Sequence, residues 1–319
     1  MFWMRCTEFT PKCLVIRILI GFVAGYIYIF NTVWADDRCV AVYYPEVREP
    51  YRSVLEEIIK GIEQKVEYSL RRYPINQDSK QDGVDGNAGV KCNALIGLGR
   101  GGFHAVSGTN IPAVVGGVLV QPGDNSGIPG VSLMPDPMEL FLRLKHFVPN
   151  VQTVFVIYSF ENTGLLIKEA SRAAQVKGIK LVAQEATDLQ TAVVMYRDVL
   201  KKINPETDAL WLLHDPLTVD NDVVLPIVLE QAWKRKLIIF SSQGAHVQNG
   251  VLFSVYPDNT RLGLRLGEMA QKCAEKNCAD LKMTLLQDLF TAVNVRTATR
   301  LNIQIHPRRD SYVDLVFPR

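Results

Sequence analysis

The alternation of two kinds of segment limits what this chain can fold into more than any other feature. Short, near-continuous runs of Val, Ile, Leu and Ala occupy Cys39–Tyr44, Asn93–Gly97, Ala113–Val120, Thr153–Ser159, Lys180–Gln184, Ala209–His214, Leu237–Ser241 and Val251–Val255. Between them, apolar residues recur at helical spacing over Ser53–Lys65, Pro137–Phe147, Leu165–Val176, Leu189–Ile203, Val223–Lys234 and Thr260–Ala274. A strand that is apolar along its whole length has to be covered on both faces. Alternation with helices supplies that cover and makes the strands parallel. The expected class is α/β, with doubly wound parallel sheets. One five- or six-stranded sheet is filled by about Val131, and a new series begins near Thr153, so the expectation is two lobes in tandem. A length of 319 residues accommodates them. The polar, Gly- and Asp-rich stretch Asn76–Gly89 reads as a surface loop that shortens the second unit.

The first 35 residues read differently. Arg5, Lys12 and Arg17 precede an apolar run from Leu19 to Val33, and the small residue Ala35 closes the segment. That is the pattern of a cleaved export signal, so residues 1–35 are expected to be removed and the protein to work in the periplasm, the alternative being a retained membrane anchor. The rest is formally neutral. With 48% hydrophobic and 21% charged residues and a net charge of +2, nothing points to nucleic acid.

Export makes disulfides available to the four remaining cysteines. Cys39 and Cys92 open two apolar runs, and adjacent parallel strands bring such positions to the same end. Cys273 and Cys278 bracket a short loop. The expected pairs are therefore Cys39–Cys92 and Cys273–Cys278. The spacing is not that of a zinc site, and the five histidines are scattered, so no metal is expected.

Ligands of open α/β sheets sit at the carboxyl ends of the strands. Those ends carry Tyr43 and Tyr44, then Arg100 and Gly101 within "GLGRGG", then Tyr158, Asn162 and Thr163, then His214 and Asp215, then Ser242, and finally Tyr256. Aromatic, hydroxyl and amide groups hold a small molecule without strong chemistry. Helices starting after "ENTG" and "DPLTVDND" would also point free N–H groups at the cleft. "GLGRGG" fits a dinucleotide fingerprint in spacing, but it follows the wrong strand, and Asp124, about 20 residues on, sits in a Gly/Pro loop and not at a strand end. It reads as a tight turn, and no cofactor is expected. His214 and Asp215 are adjacent and leave a strand in different directions, so they cannot form a relay together. Asp215 either takes a ligand ammonium or caps the next helix. An exported hydrolase would use Ser241 or Ser242 with His214 or His246 and would show a Ser–His contact near about 3 Å.

From Ile111 to Pro307 the chain resembles a known family. "IPAVVGG", "GIPGVSLMPDPMELFLRLKHFVPNVQTVFVIYSFENTG", "VVLPIVLEQAWKRKLIIFSSQGAHVQNGVLFSVYPDNTRLGLRLGEMAQK" and the closing Asn294, Ala298 and Leu301 follow the order of the ABC-transporter substrate-binding family that includes bacterial tryptophan- and tyrosine-binding lipoproteins. The family's Thr-Gly-Val-Ser stands here as Pro129-Gly130-Val131-Ser132, and the lipoprotein cysteine is missing. The resemblance implies a type I periplasmic binding fold. One lobe would comprise residues 36–130 and 253–282, and the other residues 131–252 and 283–319. It implies a non-enzymatic monomer that delivers a small molecule to an ABC permease, or reports it to a sensor. Asp215 would take an amino-acid ammonium, with Asn162 and Thr163 near the carboxylate.

Overall fold

The computed structural model describes residues 38–75, 91–121, 127–306 and 309–318. Residues 1–35, read as an export signal, and residues 76–89, read as a surface loop, lie outside the described residues. Residues 39–319 form one compact unit. Within it are two sheets, and all their strand pairs are parallel except one.

The first sheet contains β1 (Cys39–Pro45), β2 (Ser69–Ile75), β3 (Ala94–Leu98), β4 (Ala113–Val118), β5 (Gly130–Pro135) and β11 (Met283–Leu286), in the order β2-β1-β3-β4-β5-β11. The second contains β6 (Thr153–Tyr158), β7 (Lys180–Glu185), β8 (Asp208–Leu212), β9 (Ile238–Ser241), β10 (Phe253–Pro257), β12 (Leu289–Asn294) and β13 (Leu315–Phe317), in the order β7-β6-β8-β9-β10-β12-β13. The first five strands of each lobe repeat one order, with a switch point between β1 and β3 and between β6 and β8. Strand β2, "SLRRYPI", is mostly exposed at its edge position and carries no apolar run for sequence reading to find.

The helices are α1 (Tyr51–Lys65), α2 (Gly99–Val106), α3 (Pro137–Phe147), α4 (Phe160–Val176), α5 (Leu189–Lys202), α6 (Val224–Arg235), α7 (His246–Asn249), α8 (Asn259–Lys276) and α9 (Val295–Arg300). Among the described residues no helix is long and apolar enough to cross a membrane. The chain passes between the lobes at Pro135–Pro137, Pro257–Asn259 and Leu286–Leu289. Each crossing comes a few residues later than the boundaries read from sequence. Hydrogen bonding assigns β5 and β11 to the first sheet and β10 to the second, and each strand is completed before the chain leaves. After the first crossing, Phe141 and Phe147 of α3 pack edge-on or tilted against Trp211 and Phe253 of the second lobe.

Both expected disulfides are present, Cys39–Cys92 and Cys273–Cys278. The first follows from strand pairing: Val40 of β1 sits opposite Ala94 of β3, so the cysteines just before these residues meet.

Helices α1 and α8 pack glycine against backbone. A Cβ on Gly263 would overlap the Ile58 carbonyl oxygen, and one on Gly61 would overlap that of Thr260. This approach lets Ile58, Ile62, Leu262 and Leu266 interlock in the core of the first lobe. In an open helix Gly→Ala stabilises by about 1 kcal/mol. Here Gly263→Ala should instead destabilise by about 2 kcal/mol, because the helices must part to admit the methyl group. Chemical denaturation reads the sign directly, and a gain in stability would show that the helices do not approach this closely.

Candidate functional site

Each crossing joins the lobes at the carboxyl ends of β5, β10 and β11, so the carboxyl ends of both sheets border one cleft. At the back of that cleft stands Asp215, only 1% exposed. Its Oδ2 accepts from the Ser159 N–H and hydroxyl, both at 2.8 Å, with the Thr163 hydroxyl at 3.1 Å. Its Oδ1 accepts from the Asn162 side-chain amide at 3.0 Å and the Leu217 N–H at 3.1 Å. Burial opposes the charge. The Ser159, Asn162 and Leu217 donors overcome that opposition and hold the carboxyl below its ordinary range. Asp215 therefore ties the end of β8 to the start of α4.

One expectation needs correction: Asp215 does not cap α6, whose approach is held by Asp220 accepting from the Val223 N–H at 2.7 Å. Any ligand ammonium would have to share a carboxylate that already accepts five hydrogen bonds from the protein's own donors. Helix α4 also starts at Phe160, five residues before the apolar spacing marks it. Ser159 caps it from inside the Asp215 network, and "ENTG" forms its first turn.

Three other expected contacts stand behind the cleft. The Tyr43 ring is buried and stacked on Tyr73 at 5.0 Å. The Thr163 hydroxyl lies between the Ser159 carbonyl and Asp215. Ser242 is buried, and its hydroxyl accepts from the Trp211 indole at 2.8 Å. The rest remain near the rim. Tyr44 lines a 590 Å³ cavity at the end of β1 together with Arg48, Arg52 and Pro74. Arg100 and Gly101 form the first turn of α2, which has no side-chain cap. The glycines of "GLGRGG" are needed for packing: a Cβ at Gly97 would overlap Gly102, and one at Gly102 would overlap the Tyr43 carbonyl. Tyr158 is half-buried beside Glu185, and the Tyr256 ring covers Gly244.

The Ser–His contact that marks a hydrolase does occur. Ser241 Oγ is 2.9 Å from His246 Nδ1, and His246 Nε2 is 2.8 Å from Asn221 Oδ1. With Asn221 accepting, the neutral ring carries its proton on Nε2 and accepts a hydrogen bond from the Ser241 hydroxyl at Nδ1. Both Ser241 and His246 have no exposed surface, and Ser241 Oγ also accepts the Gln243 N–H at 2.9 Å. In this arrangement the pair closes a turn and presents no surface to solvent. Among the described residues no cluster of His, Cys, Asp or Glu could hold a metal.

Sequence reading missed the most exposed aromatic residues of the rim. Tyr51 is 70% exposed and Phe160 66% exposed. Each is the first residue of the helix that follows the first strand of its lobe. The matching strand order thus gives them equivalent places in the two lobes. Only comparison of the two topologies reveals that.

The family profile for ABC transporter substrate binding proteins matches residues 105–310. The chain belongs to this family. Solved structures agree on the fold. A ligand-free, open substrate-binding protein with adhesive properties from Clostridium difficile is 18% identical, with a TM-score of 0.61, and covers 88% of this chain and 99% of that one. An ABC domain from Streptococcus pneumonia in complex with L-Trp is 18% identical, with a TM-score of 0.53 and coverage of 88% and 100%. A periplasmic ribose ABC transporter protein from Conexibacter woesei is 12% identical, with a TM-score of 0.51 and coverage of 84% and 95%. No curated protein sequence matches significantly. The fold is thus the type I periplasmic-binding architecture.

Proposed function

We propose that this protein is an exported, monomeric solute-binding protein. It takes a small molecule, an amino acid or an aromatic compound, into the cleft and delivers it to an ABC permease. The observation that carries this reading is the pair Tyr51 and Phe160. Two large rings left in solvent at equivalent positions of two lobes supply flat apolar contact to a ligand between them. Tyr44, Arg100 and Gly101 are the rim groups available for its polar atoms, with Tyr158 and Tyr256 at the flanks, and Asn162, whose amide N–H is given to Asp215, offers its side-chain oxygen.

The test is thermal unfolding of the full chain against a panel of small metabolites that includes the aromatic amino acids. A ligand at 100 times its dissociation constant adds about 2.7 kcal/mol, a rise of several degrees. An aromatic compound should produce it, and Phe160→Ala and Tyr51→Ala should each reduce it. A panel with no rise at all would remove the reading. The Ser241–His246 contact calls for a parallel assay with a nitrophenyl ester. Turnover by the native chain should not exceed that of Ser241→Ala.

A further inference from the structure

Gln121 stands three residues beyond the end of β4, in the first lobe, yet it bonds to the second. Its Nε2 donates to the Glu161 carbonyl, and its Oε1 accepts from the Leu165 N–H at 2.9 Å. In an α-helix the N–H of residue i bonds to the carbonyl of residue i−4. Glu161 and Leu165 are therefore the two ends of a single rung of α4. One side-chain amide engages both. Only Asn and Gln carry a donor and an acceptor side by side on one rigid group, and only Gln has this reach.

The second lobe presents that rung for a reason already described. The Asp215 network fixes the first turn of α4 through Ser159, Asn162 and Thr163. The first lobe holds Gln121 through the neighbouring backbone, where the Val120 N–H donates to Ser132 Oγ of β5 at 3.2 Å. The contact is thus anchored on both sides, and it lies outside the three crossings. Exposed Leu119 and Leu165 accompany it at the rim.

We propose that Gln121 is an interlobe clasp, whose amide latches the first lobe to the opening turn of α4 and sets the balance between closed and open forms. Two neutral hydrogen bonds to backbone shift such a balance about tenfold or more. In a solute-binding protein the clasp raises affinity by enlarging the closed fraction. That consequence rests on the proposed function, whereas the clasp itself does not.

The experiment measures lobe separation with no solute added. Spin labels go on Lys60→Cys of α1 and Lys201→Cys of α5 in the full chain, with Cys6 and Cys13 changed to Ser. The remaining cysteines are disulfide-bonded. The unaltered clasp should give one dominant distance. Gln121→Leu should add a longer population, raising the open-to-closed ratio about tenfold. Gln121→Glu keeps the size and loses the donor, so it should behave alike and serves if the Leu variant does not fold. Identical distances in native and variant chains overturn the clasp, as does a native chain that already spends most of its time at the longer distance. A failure of solute binding leaves both outcomes readable.

Discussion

Asp215→Ala lowers the stability of the folded chain by about 3–5 kcal/mol, the usual cost of removing one partner from a buried charged network. The substitution leaves the buried Ser159 N–H and hydroxyl, the Thr163 hydroxyl, the Asn162 amide and the Leu217 N–H without their common acceptor. At roughly 2–4 °C per kcal/mol for a chain of this size, the melting temperature falls on the order of 10 °C. Asp215→Asn keeps the shape and one acceptor oxygen, so its loss is smaller. The loss appears with no solute present, and that separates the two roles open to this residue. A carboxylate reserved for a ligand would leave the solute-free stability almost unchanged and abolish the ligand-induced rise alone. Calorimetry of the two variants decides the matter.

Acid should weaken the protein in two successive steps. Burial first, and repulsion from His214 second, pull the His246 imidazole from its ordinary 6.5 down to about 4. Between these values the unfolded chain binds a proton that the folded chain refuses. Stability is therefore intact above about pH 6.5 and lost as pH falls toward 4, at about 1.4 kcal/mol per pH unit and about 3 kcal/mol in all. Asp215 acts in a lower window. Its folded value lies below the unfolded one, so its contribution is present above the unfolded value and disappears as pH falls further. Urea unfolding between pH 7 and pH 4 should show the first slope, and His246→Gln should reduce it, leaving the part due to His214, which burial also lowers. A native chain equally stable at pH 6.5 and pH 4.5 would exclude a buried neutral His246.

The fold was legible because its signals are local. Runs such as "CVAVYY" and "ALWLL" are apolar on both faces, so each strand states in its own residues that it is covered on both sides. The cysteine pairs were equally legible, since Cys39 and Cys92 each precede an apolar run and parallel pairing brings such positions together. Strand β2 was hidden because an edge strand needs no apolar run, and the true start of α4 was hidden because its cap is stabilised from 56 residues away.

The sequence by itself determined the α/β class, the two-lobe arrangement, the disulfides and which residues stand at the strand ends. Only the tertiary structure decided which of those residues face solvent and which are consumed. Asp215 and Ser242 bear polar groups that suit a ligand, but their hydrogen bonds go to Ser159 and Trp211, partners far away in the chain. Tyr51, Phe160 and Gln121 look unremarkable in sequence, and the packing of the two lobes sets them at the rim. Burial and hydrogen-bond satisfaction are properties of the assembled neighbourhood, so no reading of single residues could assign them.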